Sequence, residues 1–150
     1  MLRSTLAIAC ILLPLLALQS CNSSGSAPVS PEDVEEFDWK DVTLKRWILV
    51  EMNGLPVASE QNVELEFDGR DRIAGNAGVN QIMGSYQHDS QHDLKIGTIS
   101  STMMAGSPEA MKLEQEFLEG LGEVDKARME NEQLLLMKAN DVLMRFQGVH

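Results

Sequence analysis

Cysteine stops at position 21. The chain's two cysteines, Cys10 and Cys21, both belong to an apolar N-terminal stretch or its immediate end. Once that stretch is set aside, the remainder offers neither a disulfide nor a free thiol. Positive charge is scarce as well: 12 Lys and Arg stand against 23 Asp and Glu, a formal net charge of −11. Such a surface repels phosphate backbones and anionic lipid heads, so nucleic acid is not an expected partner. Aromatic side chains are few, and beyond residue 41 they are Trp47, Phe67, Tyr86, Phe117 and Phe146. A nucleophile elbow of the form GxSxG is missing, and the loop GNAG lacks both the lysine and the following helix of a phosphate cradle. Carboxylates are numerous, yet spacing singles out no pair for acid–base work, so an enzyme reading has no positive basis and no cofactor is expected.

What is present begins at the N-terminus. "MLRSTLAIACILLPLLALQSC" carries one charge at Arg3, an apolar middle and a small or polar exit, the pattern of an export signal. As a spanning helix it falls short of the roughly 20 apolar residues required, and Pro14 sits in its middle. Leu18, Gln19, Ser20 and Cys21 resemble the bacterial lipobox, which makes Cys21 the expected first mature residue and the site of lipidation, with plain secretion as the alternative. Residues 1–20 then form a lipoprotein signal peptide. Acyl chains on Cys21, palmitate among them, take the place of a spanning helix, each buried methylene contributing about 0.8 kcal/mol. Loss of Arg3 with the signal leaves 11 basic against 23 acidic side chains, a net charge of −12. Asn22, rather than aspartate, after the anchor points to the outer membrane of a Gram-negative cell, facing the periplasm.

Residues 22–31, "NSSGSAPVSP", have the composition of a tether. The acidic "EDVEEFDW" that follows reads as more linker or as a docking segment anchored by Phe37 and Trp39; the solvated linker is the preferred reading, which gives a linker over 21–41 and a domain over 42–150. Just over 100 residues support a single core. Period-two alternation dominates there: "VELEFD" sets Val63, Leu65 and Phe67 against Glu64, Glu66 and Asp68. Asn53-Gly54 and Asp68-Gly69 supply the positive-φ turns on either side. Further strands are expected at 45–52, 71–76, 82–88, 93–99, 122–129, 133–138 and 142–147. The fold expected is mainly β: a small, barrel-like, antiparallel curved sheet of about 7–8 strands. One segment departs from that period. In "SPEAMKLEQEFLEGLG", Ser107 is an N-cap, Pro108 and Glu109 suit a first turn, and Ala110, Leu113, Phe117 and Leu121 fall at helical spacing, with Gly122 available for the C-terminal turn. One amphipathic helix is expected, packed across the sheet or plugging the barrel.

Two clusters invite a metal. "HDSQHD" gathers His88, Asp89, His92 and Asp93, but i, i+4 imidazoles share a side only on a helix, and this stretch reads as a polar hairpin connection. The methionines suit Cu(I) by chemistry, yet only Met103-Met104 are adjacent, and Met111, Met137 and Met144 lie in amphipathic elements where thioethers fill gaps. No metal site is expected from either.

Trp47, Leu49 and the following Asn53-Gly54, then "VELEF", "IAGNAGVNQIMGSY", "ISSTMMAG", "LEQEFLEGL" and "LLLMKANDVLMRFQ", together resemble the META domain of the heat-shock protein HslJ family over about residues 43–148. In that family the loop and the later motif each carry a cysteine; here Val79 and Gly106 hold those positions, while Gly75, Gly78, Asn80, Gly84, Tyr86, Thr102 and Met104 keep the motif. The joint loss implies that Val79 and Gly106 are neighbours, with Cα atoms within about 7 Å, the span of a disulfide. The resemblance implies a barrel-like, lipid-tethered envelope protein of a family associated with heat shock and antibiotic tolerance; no molecular activity follows from its motifs, and the chain is expected to be a monomer without enzymatic activity. It acts by binding an envelope protein partner or, alternatively, carries a small apolar ligand in the barrel mouth. The loop at Gly75 to Gly84 is expected to be structural, with Asn80 bonding nearby main chain, and a binding loop on the β scaffold is the alternative.

Overall fold

The protein is described by a computed structural model over residues 37–89 and 92–150. The export signal, Cys21 and the Ser/Pro-rich tether lie outside the described residues. The first element, α1 (Trp39–Thr43), falls in the segment read above as linker. Asp38 caps it by accepting the Lys40 N–H at 2.9 Å, and the Trp47 indole N–H donates to the Val42 carbonyl at 2.8 Å, which ties the helix to the first strand. Trp39 is 8 % exposed and stacks on Tyr86, with centroids 5.6 Å apart. Burying one such ring contributes on the order of 4 kcal/mol, more than enough to draw the end of an acidic run onto the fold. The docking alternative therefore holds for Phe37 to Asp41, and the domain begins before Val42.

The strands are β1 (Arg46–Met52), β2 (Leu55–Pro56), β3 (Val63–Phe67), β4 (Arg72–Ala77), β5 (Gln81–His88), β6 (Leu94–Ser101), β7 (Lys126–Glu130), β8 (Gln133–Lys138) and β9 (Asp141–Val149). Eight of them follow the antiparallel order β6-β5-β4-β3-β1-β9-β8-β7, and the two-residue β2 adds to β1 through the Asn53-Gly54 turn. The expected alternation is realised in β3, where Val63, Leu65 and Phe67 are buried and Glu64 and Glu66 face out. A curled sheet in this order brings its two edges together. Among the described residues they join at one end, where the Leu94 N–H meets the Asp125 carbonyl at 3.0 Å and the Ala127 N–H meets the His92 carbonyl at 2.8 Å.

Helix α2 (Pro108–Glu123) turns its inner face to this sheet. Ser107 caps it as expected, accepting the Ala110 N–H at 3.2 Å. The helix does not stop at Gly122, and β7 does not start there: burial of Leu121 and Val124 carries the helical turn to Glu123, and the strand begins at Lys126. Phe117 meets Phe146 of β9 edge-on at 6.4 Å, so the helix lays one face, Glu114, Phe117 and Leu121, against the inside of the curl and leaves the opposite face exposed. Trp47, Leu65, Tyr86, Phe117 and Phe146 are each at most 1 % exposed. The inside of the curl is filled with side chains.

Candidate functional site

The β4–β5 turn is the polar centre of the fold. Asn76 Oδ1 accepts the Gly78 N–H at 2.7 Å, and Gly78 takes φ +111°, a conformation that a side chain would strain. The reversal buries Asn80. Its Oδ1 accepts from Thr102 Oγ1 at 2.8 Å and from the Met104 N–H at 2.7 Å; its Nδ2 donates to the Met104 carbonyl at 3.3 Å and to Glu114 Oε1 at 2.8 Å. Glu114 Oε2 accepts the backbone N–H of Asn80 at 2.8 Å and that of Val79 at 3.3 Å. Both polar atoms of each side chain are engaged. A buried carboxylate with N–H donors on both oxygens is stabilised without a cation, each bond to a charged group contributing about 1.5–3 kcal/mol. The arrangement is a clasp that holds the β6–α2 connection and the helix to the turn, and its hydrogen-bonding capacity is spent on structure.

The motif residues divide between this clasp and close backbone contacts. Asn80, Thr102 and Met104 belong to the clasp, with Gly78 at its turn. A side chain at Gly75 would run into the Glu64 carbonyl oxygen, and one at Gly84 would meet the Thr98 carbonyl at 2.8 Å, so both sit where neighbouring strands approach closely. Tyr86 lies apart, at the other end of β5, with its hydroxyl donating to the Asp68 carbonyl at 2.7 Å. Burial first, and then the charges of Asp71 and Asp68, raise its pKa above the ordinary 10.0. The two positions where the family has cysteine do adjoin: a Cβ built on Gly106 would stand 3.4 Å from Val79 Cβ. Glu114 is absent from the sequence expectations, although its place was visible, since residues 110, 114, 117 and 121 form one helical stripe and Glu114 is its single charge.

His88 and His92 are packing groups, and His88, expected in the hairpin connection, is the last residue of β5, paired with Leu94. His88 lies against Trp39 with centroids 4.3 Å apart, and His92 against Phe37 at 5.3 Å. Among the methionines, Met137 and Met144 are buried as expected. Met111 is exposed, however, because it falls outside the Glu114-Phe117-Leu121 stripe.

The outer face of the sheet carries a different feature. An open groove of about 1060 Å³ runs across β1, β3, β4, β5 and β6. Its floor follows one cross-strand row, Arg46–Glu66–Ala74–Met83–Ser100, fixed by the register of the five strands. Leu44, Lys45, Asp68 and Arg72 also line it, with Asp68 opposite Arg72 in the β3–β4 hairpin. Asp68 is committed to the hairpin: its carboxylate accepts from Arg72 Nε at 2.7 Å and from the backbone N–H of Arg70 at 2.9 Å and of Arg72 at 3.0 Å. Desolvation opposes its ionisation, but these bonds and the Arg72 charge outweigh it and hold the pKa below the ordinary 3.8. Leu44 and Met83, by contrast, are 71 % and 67 % exposed, large apolar side chains with nothing over them.

A curled antiparallel half-barrel sheet with one helix packed on its inner side and held there by an asparagine-centred turn defines a class of small β domains. The chain belongs to the META domain family, whose profile matches residues 40–149. Three solved structures share the fold. An NMR structure of a protein from Burkholderia xenovorans has a TM-score of 0.64 at 23 % identity, over 84 % of this chain and 96 % of that one. A second NMR structure has a TM-score of 0.52 at 25 % identity, over 80 % and 95 %. A crystal structure of a DUF4847 family protein from Bacteroides vulgatus has a TM-score of 0.53 at 17 % identity, over 73 % and 94 %. No curated protein matches the chain.

Proposed function

We propose that this META protein is a non-enzymatic lipoprotein of the cell envelope, anchored in the outer membrane through Cys21 and facing the periplasm, which acts as a monomer by binding a protein partner under stress. One observation carries the reading: the interior is filled, while the open groove of about 1060 Å³ lies on the outside of the sheet with Leu44 and Met83 exposed in it. Small-molecule sites are enclosed and of roughly 300–1,000 Å³, whereas exposed apolar side chains in a broad trough suit a macromolecular contact. A carrier of an apolar ligand would need the space that Trp47, Tyr86, Phe117 and Phe146 occupy. The clasp itself is no candidate for acid–base chemistry, because Asn80 and Glu114 hold each other and the backbone.

The test is a photo-crosslinking amino acid at position 83 of the full chain in the producing bacterium, with position 55 as control, since Leu55 is equally exposed at 69 % but lies outside the groove. A discrete protein adduct at position 83 and none at position 55 is the expected result. Equal crosslinking at both, or none at either, would remove the groove from the account.

A further inference from the structure

The two edge strands of the sheet are finished differently. Strand β7 carries Lys126, Arg128 and Glu130, charged side chains of the kind that keep an edge from pairing. Strand β6 reads IGTISS from Ile96 to Ser101, with no charge and no proline, and Gly97, Thr98, Ser100 and Ser101 are all exposed. Among the described residues the two edges join only where 92–94 meet 125–127, and beyond that seam β6 is the last strand of the sheet. The Thr102 N–H donates to the Gln81 carbonyl at 3.0 Å. By the antiparallel alternation, Ser100 also turns its N–H and C=O to β5, while Ile99 and Ser101 turn theirs away from the sheet. A register shift, where Gly97 and Thr98 stand against Ser85 alone, separates this outward pair from the seam.

Resting on the reading of the outer face as a partner site, we infer that the partner enters as an added β-strand on β6, an extended segment with basic side chains. Thr98 and Ser100 line the groove, and Ser100 is the cross-strand neighbour of Met83, so the edge and the groove are one continuous surface. The outward donors and acceptors of Ile99 and Ser101 select extended backbone, because a strand offers both at the matching spacing. Charge selects the rest. Helix α2 packs against β6, and its exposed residues include Glu109, Glu116, Glu119 and Glu123 against Lys112. Lys112 lies 3.6 Å from Glu116 and Lys138 lies 3.0 Å from Glu123, which leaves Glu109 and Glu119 with no cation among the described residues. A second copy of the chain would bring the same acidic helix to this edge and carries the same net charge of −11, whereas basic side chains on an added strand answer it.

The probe is a short fluorescein-labelled peptide of alternating lysine and valine, titrated with the full chain in detergent and read by anisotropy. Backbone N–H groups in a strand alternate as its side chains do, so two N-methylated forms, one at the lysines and one at the valines, each block one edge of the peptide. The expected result is that one methylated form binds about tenfold more weakly than the other, and that glutamate in place of lysine abolishes binding. Ser101→Pro weakens the unmethylated peptide about tenfold as well, yet keeps the fold, since the N–H it removes faces away from β5. Ser101→Lys, which gives β6 the kind of charge that β7 carries, weakens it likewise. Near-ultraviolet circular dichroism checks the folding of both variants. Equal binding of the two methylated forms, no binding of the parent peptide, undiminished binding by both variants, or concentration-dependent dimers that Ser101→Pro disperses would each overturn the inference. If it fails while the position-83 crosslink forms, the partner lies on the groove without adding a strand. If the crosslink also fails, the reading of the outer face fails with it.

Discussion

Gly106→Ala looks like the mildest substitution a protein can receive. Here it is expected to destabilise, because the added Cβ would lie 2.5 Å from Val79 Cγ2 and 3.1 Å from Cγ1. Carbon atoms do not approach so closely, and overpacking of this kind costs about 1–3 kcal/mol. Val79→Ala removes both offending methyls, so the double variant is more stable than the Gly106→Ala single, a coupling that a thermodynamic cycle in urea measures directly. The pair also admits a covalent test. A Cβ–Cβ separation of 3.4 Å sits at the short edge of disulfide geometry, about 3.5–4.5 Å. Val79→Cys with Gly106→Cys is therefore expected to oxidise spontaneously, linking the tryptic peptides that end at Lys95 and Lys112. Closing the loop from 79 to 106 stabilises by about 3.5 kcal/mol in the chain-entropy account, which raises the melting temperature by roughly 10–20 °C until reductant is added. Peptides that stay unlinked under air, or a cycle without coupling, would refute the adjacency of the two positions.

Three further outcomes follow from the same geometry. Glu114→Gln keeps shape but turns one of two accepting oxygens into a donor facing N–H groups, so it lowers stability by about 1–3 kcal/mol in denaturant titrations despite being isosteric. Tyr86 is the chain's single tyrosine, so its phenolate absorbance reports one site. Its raised pKa means that its contribution is intact below pH 10.0 and is lost as pH climbs through the folded-state value; Tyr86→Phe weakens the protein slightly at neutral pH and removes this alkaline loss. Trp39→Ala deletes a buried ring against Phe67, Tyr86 and His88 and lowers stability by about 3–5 kcal/mol in thermal or urea melts, whereas a solvated linker residue would change nothing.

The β architecture was legible because alternation in β3 is strict and the β1–β2 turn carries Asn53-Gly54; the turn after β3 takes its positive φ at Asp71 and not at Asp68-Gly69 as expected, because the Asp68 carboxylate caps that turn by accepting the Arg70 and Arg72 N–H groups. The helix was legible because Ser107-Pro108-Glu109 opens it before an apolar repeat. Trp39 was misjudged for a physical reason: the charges around it set the local composition, but one large ring outweighs them once β3 and β5 offer it a surface. Glu114 reads as solvated if each carboxylate is judged singly, and as a buried partner only when its place in the 110–121 stripe is weighed. The turn at Asn80 was recognised as structural, yet its far ends at Met104 and Glu114 are 24 and 34 residues away and depend on the folded sheet. The groove could not be read at all, since Arg46 and Met83 share a row only through three registers that no local pattern specifies.

The central claim is that the outer face of the sheet, not its interior, is where this protein works. Methionine footprinting tests it with an internal reference, because Met83 in the groove and Met103 on the β6–α2 connection are both open, at 67 % and 99 % exposed. In the purified protein a brief pulse of peroxide converts both to sulfoxide. In intact cells the account predicts that Met103 still oxidises while Met83 is protected, a fall in their ratio read on separate tryptic peptides. An unchanged ratio in cells would mean that nothing covers the groove, and would contradict the claim.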